Sequence, residues 1–125
     1  MNNEILTYKE FLIEAALDGT YKKLINSLVS LKWDSKPRKA KASAGHELSG
    51  SINGKYVTFS WHQPDKYGSG YAFTGLLYGS DSKFGRAEEM FATTWMDLED
   101  SPDDEKLVKA NIKEFEKAIS FVKKL

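Results

Sequence analysis

The sequence predicts an α+β domain in which a three- or four-stranded antiparallel meander packs against N-terminal helices and a long C-terminal helix. Two features carry that prediction. Asn53-Gly54 separates two β-prone runs by the two positive-φ residues of a type I′ hairpin turn. Val108, Ile112, Phe115, Ile119 and Val122 recur at alternating steps of four and three, which places them in one apolar stripe on a helix. A chain of 125 residues is enough for one domain to bury roughly two-thirds of its unfolded surface, so no second domain is required.

Taken in order, Thr7 followed by Glu10 has the spacing of a capping box. Phe11, Leu12, Ala15 and Ala16 follow before Asp18-Gly19, which predicts a short amphipathic helix over about residues 8–17. Thr20 caps a second helix in which Leu24, Ile25, Leu28, Val29 and Leu31 form an apolar stripe. KPRKAKASAGHELSG has no helical period and begins as a basic loop. In the second hairpin run Val57, Phe59 and Trp61 alternate with Thr58, Ser60 and His62, the pattern of a half-buried strand. QPDKYGSG is turn-rich, and GYAFTGLLYG reads as a third strand with Tyr71, Phe73 and Leu77 on one face. In residues 88–98 both periods are present, and the Thr-Thr-Trp centre favours a fourth strand. Ser101-Pro102 then supplies an N-cap with proline at N1. Asp103, Asp104 and Glu105 suit the positive end of the helix dipole, and Lys123 and Lys124 the negative end. The expected C-terminal helix is about 23 residues, roughly 35 Å.

Composition narrows the chemistry. With no cysteine there are no disulfides or thiolates, and eighteen basic residues cancel eighteen acidic ones, so no global field draws the chain to nucleic acid or membrane. The longest apolar runs fall far short of the roughly 18 residues of a spanning helix. No zinc spacing, calcium loop or phosphate cradle is present, so we expect neither metal nor cofactor. His46 and His62 fall on neighbouring strands without an acid or nucleophile spaced to complete a triad, which reads as two surface histidines on a polar sheet face rather than an enzyme site.

Two charge clusters remain. Lys32, Lys36, Arg38, Lys39 and Lys41 lie within ten residues, with Trp33 beside them and Asp34 as the only acid. Such a loop can grip phosphates while Trp33 stacks on a base, or contact a protein. It also reads as a solvated loop whose Trp33 packs on the core, the reading that the zero net charge favours. Asp97, Glu99, Asp100, Asp103, Asp104 and Glu105 form the opposite cluster, either an acidic contact surface for a partner or a helix-start cap beside a solvated turn. Tyr67, Tyr71 and Tyr78 are candidates to extend an interaction face.

The stretch TYKEFLIEA, residues 7–15, resembles the capsid-targeting leader of the internal head proteins of T-even-type bacteriophages, short segments of the form Thr-Tyr-x-Glu-Phe-Ile-x-Glu-Ala. Thr7, Tyr8, Glu10, Phe11, Glu14 and Ala15 match, and Leu12 replaces the isoleucine. The resemblance implies an interaction with the prohead scaffold and with a prohead protease that cuts after the glutamate of a Leu/Ile-x-Glu site. Leu12, Ile13, Glu14 and Ala15 would then be the cleavage site, 1–14 a removable leader and 15–125 a mature domain of 111 residues. Residues 1–14 carry Glu4, Glu10, Glu14 and Lys9, a net −2, so the mature chain would be +2. By the same resemblance the protein would be packaged in the virion interior and injected with the DNA. In the host cytoplasm it would inhibit an antiviral defence enzyme, such as a restriction nuclease, by protein–protein binding, with nonspecific DNA contact possible. The alternative is a nucleic-acid-binding protein that uses the basic loop 32–41 with Trp33.

Overall fold

A computed structural model of the chain describes residues 8–42, 45–64, 70–79, 87–90, 94–101 and 104–125; the side chains of residues 8–16 and 87–90 lie outside the described set. The element order is α1 (Tyr8–Val29), β1 (Arg38–Ala42), β2 (Gly45–Ile52), β3 (Lys55–His62), β4 (Ala72–Gly79), β5 (Ala87–Met90), α2 (Thr94–Asp100) and α3 (Glu105–Lys123). The five strands form one antiparallel sheet in the order β1-β2-β3-β4-β5, so the α+β meander expected from the sequence is present.

The hairpin is where the sequence places it. Asn53 and Gly54 take φ of 50° and 78°, the left-handed pair that a type I′ turn requires, and Ile52 pairs with Lys55 across it. From that turn the register puts Leu48 and Ile52 on the same face as Val57, Phe59 and Trp61, and all five are buried. In β4 the parity differs from the simple alternation expected. The register shifts between Ser60 and Trp61, so Phe73 pairs with Trp61 and Leu76 with Phe59, while Leu77 pairs with Thr58 on the opposite face. The bulge turns both Phe73 and Leu76 inward and leaves Leu77 exposed, which a strict period of two cannot achieve.

Helix α3 lies closest to β4 and α1 packs against α3. The predicted stripe is the buried one, with Ile112, Phe115, Ile119 and Val122 joined by Asn111 and Ala118. Phe115 stacks on Phe73 at 4.6 Å between ring centroids, and Tyr78 meets Phe121 edge-on at 5.1 Å. Each such fully buried apolar side chain contributes about 1.5–3 kcal/mol of transfer free energy.

Asn111 is the polar hub of this core. Its Oδ1 accepts from the Phe73 amide at 2.8 Å and from the Tyr21 hydroxyl at 2.5 Å. Its Nδ2 donates to the Phe73 carbonyl at 2.8 Å and to Thr94 Oγ1 at 3.3 Å. Both lone pairs and both protons of the carboxamide are therefore used. Strand β5 pairs only with residues 76–79 of β4, so at Phe73 the side chain of Asn111 stands in for a neighbouring strand and satisfies backbone groups that would otherwise be buried unpaired. Thr94 in turn donates through its amide and hydroxyl to Glu114, which ties the start of α2 to α3. Burial, reinforced by Asp18 and then Glu114, pushes the Tyr21 hydroxyl well above its ordinary pKa, so it remains a donor.

Four sequence expectations are corrected. The two N-terminal helices are a single helix, Tyr8–Val29, which runs through Asp18-Gly19. A helical glycine costs only about 1 kcal/mol relative to alanine, less than the helix gains by docking Leu17, Tyr21, Leu24, Ile25 and Leu28 on one core, so neither Gly19 nor a cap at Thr20 interrupts it. The basic loop contains a strand, β1, that pairs with β2 along its whole length. The ambiguous segment divides, with 87–90 a strand and 94–100 a helix that buries Leu98. Helix α3 has 19 residues because its N-cap is Asp104, whose carboxylate accepts from the amides of Lys106 and Leu107, and not Ser101.

Candidate functional site

The basic segment is built on a rigid support. After α1, the indole N–H of Trp33 donates to the Leu28 carbonyl at 2.7 Å, and the ring lies against Gly50 so closely that a Cβ there would come within 2.9 Å of it. Only glycine at position 50 admits the ring, and Trp33 is thereby half-buried at the rim of the core. Asp34 then clamps the hairpin. Its amide donates to the Ser51 carbonyl at 2.8 Å, and its carboxylate accepts from the amides of Asn53 and Gly54 at 2.9 Å each. The one acid of this segment is thus occupied with backbone donors at the turn.

From this clamp the chain enters β1, where every residue is exposed. Lys32 and Lys36 are exposed as well, so all five cations singled out in the sequence face solvent, three of them (Arg38, Lys39 and Lys41) on an outermost strand. No ion pair with a described residue joins those three. The cations face solvent, whereas Trp33 packs against Gly50 at the rim of the core.

Beside β1, a groove of about 500 Å³ crosses toward β4, floored by small residues including Ala40, Ala42, Gly45, Ser60 and Gly75 and bounded by Trp61, Leu77 and Trp95. The two histidines flank this end of the sheet without meeting. His46 pairs with Trp61 and His62 with Gly45, which puts their imidazoles on opposite faces. His46 stacks on Trp61 at 5.8 Å, and His62 stacks on Trp95 at 6.1 Å. Both are half-buried stacking partners, in place of the surface histidines of one polar face that the sequence suggests. Burial first, then Lys41 and His62, holds the His46 imidazole below its ordinary pKa.

The acidic cluster divides between two helices. Asp97, Glu99 and Asp100 are exposed on α2, while Asp104 caps α3 and Glu105 pairs with Lys109 at 2.8 Å. Asp103 lies outside the described residues, as does Tyr67. Among its described members the cluster therefore includes a cap and a compensated carboxylate, and the α2 portion offers the unengaged charge. Tyr71 stacks on Tyr21 and Tyr78 meets Phe121 edge-on, so both tyrosines serve the core more than an interaction face.

Leu12, Ile13, Glu14 and Ala15 lie in the first half of α1. A cut between Glu14 and Ala15 removes seven helical residues, 8–14, and leaves 15–29 to dock through the described core contacts, which begin at Leu17.

A cationic ridge was missed in the sequence. Lys106, Lys109, Lys113 and Lys117 are all exposed, at helical spacings that place them along one face of α3, and the exposed Lys124 follows at its C-cap. Reading the apolar stripe alone concealed it, although the same three-and-four spacing in the polar residues would have found it. Among the described residues no group of three or more histidine or acidic side chains is placed to hold a metal ion, and no described helix is long and apolar enough to cross a membrane. No protein-family model, curated protein or solved structure matches this chain.

Proposed function

We propose that this chain is the precursor of a bacteriophage internal head protein. Residues 1–14 direct it into the prohead and are removed after Glu14, and the mature domain 15–125 enters the host with the DNA and inhibits a defence enzyme by binding to it. The observation that carries the reading is the run TYKEFLIEA with its Leu12-Ile13-Glu14 cleavage pattern. The segment that remains after the cut keeps Leu17, Tyr21, Leu24, Ile25 and Leu28, which pack on the core. Proteases act on locally opened backbone, and the N-terminal turns of a helix open at low cost because their first four amides have no helical partner.

On this reading the mature domain acts through its surface. Two patches of opposite sign are available: the carboxylates Asp97, Glu99 and Asp100 on α2, and the cations of 32–41 on and before β1. Recombinant 15–125 should protect incoming unmodified DNA in cells that carry a cognate restriction or other defence system, and should co-purify with a component of that system in fixed stoichiometry. Protection that persists after both patches are reversed in charge would refute the surface-complementarity part of the proposal. The nucleic-acid reading requires Trp33 to stack on a base, and the engagement of that indole with Gly50 and the Leu28 carbonyl favours the protein partner.

A further inference from the structure

We propose that the open edge of β1 is a docking strand for an extended acidic polypeptide segment, which joins the sheet beside Arg38–Ala42. The strand order makes β1 outermost, and its pairing with β2 uses only one of its two edges. No described strand pairs with the other edge, and all five residues are exposed. Such an edge presents alternating backbone donors and acceptors, which a second polypeptide strand satisfies.

Charge selects the partner. Arg38 pairs with Ser49 on one face of the sheet, whereas Lys39 and Lys41 pair with Leu48 and His46 on the other, so cations flank the edge on both sides. A second copy of β1 would set these like charges against each other at cross-strand distance, which disfavours self-pairing. A strand with carboxylates opposite Arg38, Lys39 and Lys41 is attracted instead. Between the cations, Ala40 leaves space, because it lies on the Glu47 face and lines the small-residue groove with Gly45 and Ser60. An apolar side chain opposite Ala40 can lie over that groove. The fitting segment is therefore extended, acidic on both faces and apolar opposite Ala40. A nucleic-acid backbone fits less well, since its phosphates accept hydrogen bonds but cannot donate to the carbonyls of the edge.

This inference deepens the proposed inhibitory role by naming the contact and its partner's chemistry. Its test uses no phage particle, so its failure is separable from that of the packaging reading. The probe is a capped, fluorescein-labelled peptide with a single Val-Glu-Val-Glu-Glu segment flanked by glycine and serine, titrated by anisotropy against the full chain. Two further versions carry N-methyl groups on one or the other set of alternate amides. One N-methylated form should lose at least about tenfold in affinity and the other should keep it, because only one set of amides faces β1. Lys39→Glu with Lys41→Glu should also weaken binding by about tenfold or more, whereas Lys113→Gln with Lys117→Gln on α3 should not change it. Both pairs are exposed, and hydrogen exchange should show the β1 amides becoming protected when the peptide is added. The proposal is overturned if both N-methylated forms bind like the parent, if a lysine-for-glutamate peptide binds equally well, if duplex DNA binds β1 more tightly than the peptide, or if the parent peptide does not bind at about 1 mM.

Discussion

Helices α3 and α1 contribute to one core, but they hold to it differently. Helix α3 has an N-cap at Asp104, six buried residues from Asn111 to Val122, and hydrogen bonds from Asn111 into the backbone of β4. Helix α1 is three residues longer, yet among its described side chains only Tyr21 and Leu28 are buried, with Leu17, Leu24 and Ile25 half-buried around them, and it carries Asp18-Gly19 at mid-length. Length is therefore a poor guide to indispensability. One helix is fixed by continuous packing and a polar hub, whereas the other meets the core, among its described side chains, through Leu17, Tyr21, Leu24, Ile25 and Leu28.

The comparison is most exposed to failure at Phe115. Phe115→Ala removes a ring with no solvent exposure that stacks on Phe73, and should lower unfolding free energy by about 3–5 kcal/mol in a denaturant titration, much of the stability of a domain this size. Asn111→Leu keeps similar volume but leaves the Phe73 amide and carbonyl and the Tyr21 hydroxyl unpaired; a loss of about 3 kcal/mol is expected, and no loss would mean that the hub is incidental. On α1 the expected effects are smaller. Gly19→Ala should stabilise by about 0.5–1 kcal/mol, because a Cβ at this helical position meets nothing within 4 Å. Deleting residues 1–14 should cost less than about 1 kcal/mol by thermal or denaturant unfolding; a loss comparable to that of Phe115→Ala would erase the distinction between the two helices.

The smallest effect is set by pH. The imidazole of His46 titrates below its unfolded value, so the unfolded chain takes up this proton first as pH falls. The contribution of His46 is complete above the ordinary histidine range near about 6.5 and is lost as pH falls through and below it. Unfolding midpoints measured at pH values above and below that range should decline, and His46→Asn should flatten the decline.

The parts of the fold legible in the sequence were those written as period and turn chemistry. Asn53-Gly54 fixed the hairpin, and the stripe from Val108 to Val122 identified α3 and its buried face. What escaped depended on tertiary contacts. Gly19 and Thr20 look like a helix boundary until the core contacts on both sides of the helix interior outweigh them. Strand β1 contains Arg38, Lys39 and Lys41 with only alanines between, and pairs because β2 presents a matching backbone edge, which no side-chain pattern announces. The β4 bulge moved Leu77 off the core face, and Asn111, a polar residue within an apolar stripe, became the hub because no described strand pairs with β4 at Phe73. Of the candidate site residues, the cations of 32–41 are exposed, but the role of Trp33 depended on a glycine 17 positions away.

The central claim is that residues 1–14 are a leader and 15–125 the product. It is tested most directly by the intact mass of this protein recovered from purified particles of the phage proposed to encode it, read beside the recombinant full-length chain. The account predicts a species that begins at Ala15 and comprises 111 residues. A full-length chain of 125 residues in the particle, or none of the protein there, would contradict it.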